Sequence, residues 1–244
     1  MNAFAVDLHI HSCLSPCGED DMTPCNIAGM GYLNGLKIMA LTDHNTAKNC
    51  PAFFAACQAY GIVPVPGMEL TTAEDVHMVC LFPELETALA FDKAVEEKRM
   101  KIRNKPAIFG EQIIMGAEDV PMGNDPWFLP AATSLSIEEG AKLVRSLGGV
   151  CYPAHIDREA NGLLAVLGFF PEEPVFTLAE VHDEDKRDLA EGRRILVSSD
   201  AHRLWEISDG SFCVHLDVDP EAGEEAIRKA LFAMLEKKSS KNCR

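Results

Sequence analysis

The stretch DLHIHS, residues 7–12, sets two histidines one residue apart in a chain of 244 residues that holds only eight. Side chains of a β-strand alternate between its faces, so His9 and His11 are expected to face one way while Leu8 and Ile10 face the other. Two imidazoles aimed at one spot suit a metal ion. Four further histidines have related surroundings: His44 follows Asp43 in ALTDHN, His77 opens VHMVCLF, His155 lies in YPAHIDR, and His202 follows Asp200 in SSDAHR. Glu69 closes PGMEL. Any one of these histidines alone would read as structural. Their joint placement is what points to a metal centre.

The elements that must carry them follow from the apolar pattern. Strands are expected at 4–10, 37–42, 62–69, 76–82, 149–154, 177–182 and 194–199, and helices at about 24–34, 49–60, 84–100, 136–147, 183–191 and 220–237. This alternation is that of an α/β fold, either a closed, slightly irregular barrel of seven strands or a doubly wound open sheet. In such folds the C-terminal ends of the strands share one rim, where sites are built, and the candidate ligands fall mostly at those ends. They outnumber the three or four donors a single ion needs. A second ion is therefore expected, and a third is open. Two ions about 3.5–4 Å apart serve in-line hydrolysis of phosphate esters.

Composition limits the partners. A formal net charge of -16 opposes phosphate-bearing polymers on average, and 47% apolar residues argue against disorder. The N-terminus shows no basic, then apolar, export signal, and GLLAVLGFF at 162–170 is too short to span a bilayer, so a cytoplasmic protein without membrane contact is expected. Nine cysteines fit free thiols; Cys13, Cys17 and Cys25 lie close together but read as thiols beside a loop rather than as an Fe–S framework. Residues 1–244 are read as one domain. Its segment at about 103–135, rich in Gly, Pro and Asn, is expected to be a long functional loop or insertion that sets specificity.

The motifs DLHIHS, LTDHN, GMEL, HMVCLF, PAHIDR and SSDAHR, in this order from residue 7 to 203, resemble those of the PHP (polymerase and histidinol phosphatase) family. The resemblance implies a distorted seven-stranded (β/α)7 barrel with two to three divalent ions, Mn, Fe or Zn, that hydrolyses phosphoesters. It implies that His9, His11, Glu69 and Asp200 hold one ion and that Glu69 bridges to a second, held with His77 and His155. A third would be held by His44 and His202 with an acidic or histidine side chain shortly after the HxH pair. This sequence departs from the family there: the usual SDG is SPCG, with Pro16 where the acid belongs. Glu19, Asp20 and Asp21 offer substitutes, of which Asp21 is preferred, or else they form a solvated acidic loop.

Other residues have two readings each. Asp43 either orients a ligand or serves turn chemistry. Arg158 and Arg203, just past His155 and His202, are candidates to clamp phosphate oxygens. His182 could line the rim, whereas His215, in an alternating run, reads as structural. The apolar stretch 162–170 reads as a buried helix or a dry lid. The tail KKSSKNCR reads as a solvated end. The function expected is attack on phosphorus by a hydroxide bridging two ions, on a small phosphorylated substrate. The alternatives are an exonuclease or oligonucleotide phosphodiesterase of PHP type, and a non-catalytic metal-binding regulatory domain.

Overall fold

A computed structural model describes residues 1–237; most of the expected solvated tail, residues 238–244, lies outside the described residues. In chain order the strands are β1 (Asn2–Asp7), β2 (Ile38–Leu41), β3 (Val63–Thr71), β4 (His77–Leu81), β5 (Ile113–Met115), β6 (Pro121–Asn124), β7 (Val150–Pro153), β8 (Leu178–Val181), β9 (Arg194–Val197) and β10 (Cys213–Leu216). The helices are α1 (Pro24–Leu33), α2 (Cys50–Tyr60), α3 (Leu85–Glu96), α4 (Pro106–Phe109), α5 (Ile137–Ser146), α6 (Leu163–Leu167) and α7 (Glu224–Leu235). No helix among the described residues is long and apolar enough to cross a membrane.

All seven expected strand positions are strands, but they do not form one continuous seven-stranded ladder. Six strands form a curled mixed sheet in the order β10-β1-β2-β3-β4-β7, while β8 and β9 pair in parallel as a separate ribbon. Single links draw the two together. The Ile156 N–H donates to the Glu180 carbonyl at 2.9 Å on one side, and Ile10 bridges Ala201 on the other. β1, β2 and β3 run parallel, but β4 is antiparallel to both β3 and β7. The cause is local: the Thr72–Val76 turn closes with a 3.0 Å backbone bond and Asp75 at φ 64, which leaves no room for a crossover helix. The reversal puts His77 opposite Thr71, so the first residue of β4 shares a rim with the last residues of β3.

Burial follows the strand period. Along β2, Ile38 and Ala40 join the cluster that α7 covers with Ile227, Leu231 and Phe232, whereas Met39 and Leu41 pack with residues of α1 and α2. β3 is buried at all nine positions, as expected of a strand covered on both faces. In β1 the regular ladder stops at Asp7, earlier than expected, and Leu8 and Ile10 enter different clusters. The simple alternation argument for DLHIHS thus ends where the chain leaves the sheet.

The segment expected as a loop at 103–135 contains α4 and the β5-β6 hairpin. Two polar residues hold it against the rest: Asn49 donates to the Ile113 carbonyl at 3.1 Å, and Asn45 donates to Leu129 at 2.8 Å. The 183–191 segment is a 3-10 turn rather than an α-helix, and the alternating run around His215 is an unpredicted strand, β10, with His215 exposed. The stretch 162–170 is divided: α6 buries Leu163, but Phe169 is exposed, so neither a wholly buried helix nor a dry wall describes it.

Gly110 has φ 96, and a Cβ there would collide with the Pro16 carbonyl. Gly110→Ala is therefore expected to cost about 1–3 kcal/mol, read as a fall of roughly 2–4 °C in Tm per kcal/mol in thermal unfolding, and to loosen residues 13–18.

Candidate metal centre

Glu69 lies at the middle of the rim, fully buried at the end of β3. His77 Nδ1 is 2.8 Å from its Oε1, with His155 Nε2 at 3.2 Å and His9 Nε2 at 3.3 Å from the same oxygen. Its Oε2 has His44 Nδ1 at 2.8 Å and His11 Nε2 at 3.3 Å. Asp200 Oδ1 stands 3.3 Å from His9 Nε2 and 3.2 Å from His11 Nε2. The ring of His202 stacks on that of His11 with centroids 4.3 Å apart. The structure thus brings together eight of the nine residues expected as ligands. Seven of them form three groups whose donor atoms converge: His9, His11, Glu69 and Asp200; His44, Glu69 and His77; and His11, His44 and His202; His155 joins through Glu69.

These groups fit a cation on physical grounds. His44 Nδ1, Glu69 Oε2 and Asp200 Oδ1 are buried and make no hydrogen bond, although His44 Nδ1 and Glu69 Oε2 are only 2.8 Å apart. Buried polar atoms this close but out of hydrogen-bond alignment are costly unless a positive ion satisfies them. Burial disfavours the charge on Glu69, but His77, His9 and His44 hold its carboxyl well below the usual range. Burial would lower the His11 pKa, yet the Asp200 and Glu69 carboxylates, 3.2 and 3.3 Å from its Nε2, outweigh it and push it up to about 9. In His202 burial wins, and with the His11 charge beside it the pKa falls to about 4.

A second tier of groups fixes which imidazole nitrogens face inward. Asp43 accepts from the Ser12 N–H at 2.7 Å, the Ser12 hydroxyl at 2.6 Å and the Ser15 hydroxyl at 2.8 Å. Having given its one proton to Asp43, the Ser15 hydroxyl accepts from His11 Nδ1 at 2.9 Å, which leaves Nε2 as the inward lone pair. Asp43 therefore acts on His11 through Ser15. His9 Nδ1 donates in the same way to Glu180 Oε1 at 2.8 Å, and His202 Nδ1 to the Asp200 carbonyl at 2.8 Å. Glu180, which also takes the His155 N–H at 3.1 Å, was not expected; its one sequence signal is an acid inside the apolar strand LAEV. Ser15 gave no signal. Backbone geometry also serves the convergence, for His155 at φ 26 and Asp200 at φ 50 are non-glycine residues in a region that costs about 1–3 kcal/mol each.

The remaining candidates lie around the centre. Arg158 forms an ion pair with Asp200 Oδ2 and reaches His182 Nδ1 at 3.3 Å. Arg203 is committed to Glu19 and Glu206, both at 2.9 Å. Arg158, His182, Asp200, His202, Arg203 and Cys17 line an open pocket of about 580 Å³. The preferred substitute acid, Asp21, is brought into none of the three groups: it is exposed, and its carbonyl accepts from Asn26 across the turn that starts α1. Pro16 cannot replace the missing acid, and the side chain that the loop presents instead is that of Cys17.

A PHP domain model matches residues 7–119. A 5'-3' exoribonuclease of Haemophilus influenzae is 30% identical over 101 residues, which span 38% of this chain and 36% of that protein. Among solved structures, the lesion-specific endonuclease Q of Pyrococcus furiosus superposes with a TM-score of 0.63 at 20% identity, covering 97% of this chain and 57% of the endonuclease. A Bifidobacterium adolescentis protein described as a metal-dependent phosphoesterase gives 0.55 at 17% identity, covering 93% and 95%. These superpositions establish a shared α/β fold with a curled sheet. The chain spans little more than half of the endonuclease, and its match spans about a third of the exoribonuclease.

Because His11 is protonated up to about pH 9 without metal, an ion must displace that proton. Zinc affinity is expected to rise with pH between about 6.5 and 9, with protons released on binding, as calorimetry in buffers of different ionisation enthalpy would read. Ser15→Ala, which frees the His11 ring, is expected to weaken binding about 10–100-fold in the same titration.

Proposed function

We propose that this chain, which carries a PHP domain over residues 7–119, is a metal-dependent phosphoric ester hydrolase. The observation that carries the reading is the convergence of six imidazoles and two buried carboxylates beneath an open pocket edged by Arg158. His9, His11, Glu69 and Asp200 would hold one ion, and Glu69, His77 and His155 a second. Bound divalent ions, Mn, Fe or Zn, would polarise a phosphoryl group and make water a nucleophile near neutral pH. The side chains of this protein supply the rest. Glu180, Ser15 and the Asp200 carbonyl set the tautomers of the inward rings, of which His9 and His11 are fully buried. Arg158, half-exposed over Asp200, turns its guanidinium from that carboxylate to two phosphate oxygens. Within this reading the seven expected strands bound a distorted barrel, and residues 103–135 act as the specificity insertion.

A nucleic-acid end as the substrate is the second reading, and one surface feature favours it over a small ester. Five of the 22 basic residues fall within 98–105, in a chain whose average charge is strongly negative. Arg103 stacks 4.7 Å from the Trp127 ring with Lys101 at 5.7 Å, an exposed cationic and aromatic cluster of the kind that accepts a phosphate backbone and a base. The exoribonuclease relative points the same way. Parallel assays on an aryl phosphate and on short 5'-phosphorylated RNA and DNA separate the two substrates, and Arg103→Ala should weaken only the oligonucleotide reaction.

Chelation is expected to abolish hydrolysis and Mn, Co or Zn to restore it; activity after verified metal removal would contradict the reading. Arg158→Ala and Arg158→Lys are both expected to lose about 10- to 1000-fold in kcat/KM with metal content unchanged, since lysine lacks the planar fork.

A further inference from the structure

We infer that Cys17 is a thiolate ligand, completing with His44 and His202 a third cation site that is selective for thiophilic ions such as zinc, cobalt or ferrous iron. This deepens the hydrolase reading above and rests on it, since the site adjoins the ions held by Glu69.

The argument begins with the turn that carries the cysteine. The Gly18 N–H donates to the Ser15 carbonyl at 2.8 Å, which makes Ser15–Gly18 a β-turn with Pro16 and Cys17 at its two central positions. Proline suits the first of these because its φ is already set. Pro16 therefore shapes the turn, and the side chain available to the site is the next one. Both ends of the turn are tied to the imidazole cluster. Ser15 bonds the His11 ring at 2.9 Å, and the Glu19 N–H, one residue beyond Gly18, donates to the His202 carbonyl at 3.0 Å. Gly18 is required for this closeness, because a Cβ there would stand 2.8 Å from the Ser12 carbonyl.

The thiol meets the cluster from this tip. Cys17 stands beside the His44 side chain and lines the same pocket as His202, just outside the three convergent groups. Donor nitrogens of His44 and His202 already converge with that of His11. His11 is occupied on its inward side by Glu69 and Asp200, so the third group lacks an anionic donor of its own. The nearby acids do not provide one: Glu19 and Glu206 are paired with Arg203, and Asp20 and Asp21 do not line the pocket. A thiolate supplies the missing charge. It is also the donor that selects zinc, cobalt or iron over magnesium or manganese, whereas the carboxylate usual at this place would accept either class. Of the other described cysteines only Cys213 is exposed, on β10, while Cys13 is buried.

The test uses the full chain in a Cys213→Ser, Cys243→Ser background, loaded with cobalt and, separately, with zinc. Expected are a sulfur-to-cobalt charge-transfer band in the near ultraviolet and at least about tenfold slower alkylation of Cys17 by iodoacetamide on zinc binding, mapped by mass spectrometry. Cys17→Ser should lose the band and one ion while keeping those bound at Glu69. Cys17→Asp should regain the ion without the band. Ions present by elemental analysis, with no band and unchanged Cys17 alkylation, would overturn the inference and leave the hydrolase reading standing. No specific ion bound at all would overturn both. The alkylation measurement on unsubstituted Cys17 decides the matter even if the Cys17 variants fail to fold.

Discussion

One carboxylate, Glu69, has no access to water and is ringed by imidazole nitrogens, five of them within 3.3 Å of its two oxygens. A charge so placed is stable only among cations, and without metal His9, His11 and His44, whose pKa values the buried carboxylates raise, carry protons in that role. The same arrangement is a liability for the empty site and an asset for a filled one. Replacing bound protons by divalent ions keeps the carboxylate compensated while freeing the imidazole lone pairs to bind.

The scaffold meets this constraint with backbone devices. Reversal of β4 by a short turn places His77 beside Glu69, an outcome that a parallel strand could not give with its first residue. His155 and Asp200 accept left-handed backbone torsions, and the Asp43–Ser15 pair holds His11 from behind. Asn45 and Asn49 then bond Leu129 and Ile113, so the segment bearing Arg103 and Trp127 is anchored to the wall of the centre.

What the sequence made legible was whatever depends on residue type at strand ends. His9, His11, His44, Glu69, His77, His155, Asp200 and His202 announce themselves by chemistry that an apolar strand has no other use for. Partners that work through geometry alone were hidden: Ser15 looks like any loop serine, and Glu180 becomes meaningful only when β8 meets β7. The antiparallel run of β4 is hidden because a local turn, Thr72–Val76, reverses a strand without disturbing the apolar rhythm. Asp21 was preferred for its charge, but the β-turn at Pro16 directs the next residue, Cys17, to the site. Strand β10 was overlooked since its alternation leaves half its residues exposed, as suits its place at the sheet edge.

The central claim is that Glu69 bridges cations rather than serving as a buried partner of protonated histidines. Anomalous diffraction from a crystal grown with manganese or zinc at neutral pH measures this directly. The account predicts ion peaks on both sides of the Glu69 carboxylate, one toward His9, His11 and Asp200 and one toward His77 and His155. A well-ordered, metal-saturated crystal with no peak within bonding distance of Glu69 would contradict it.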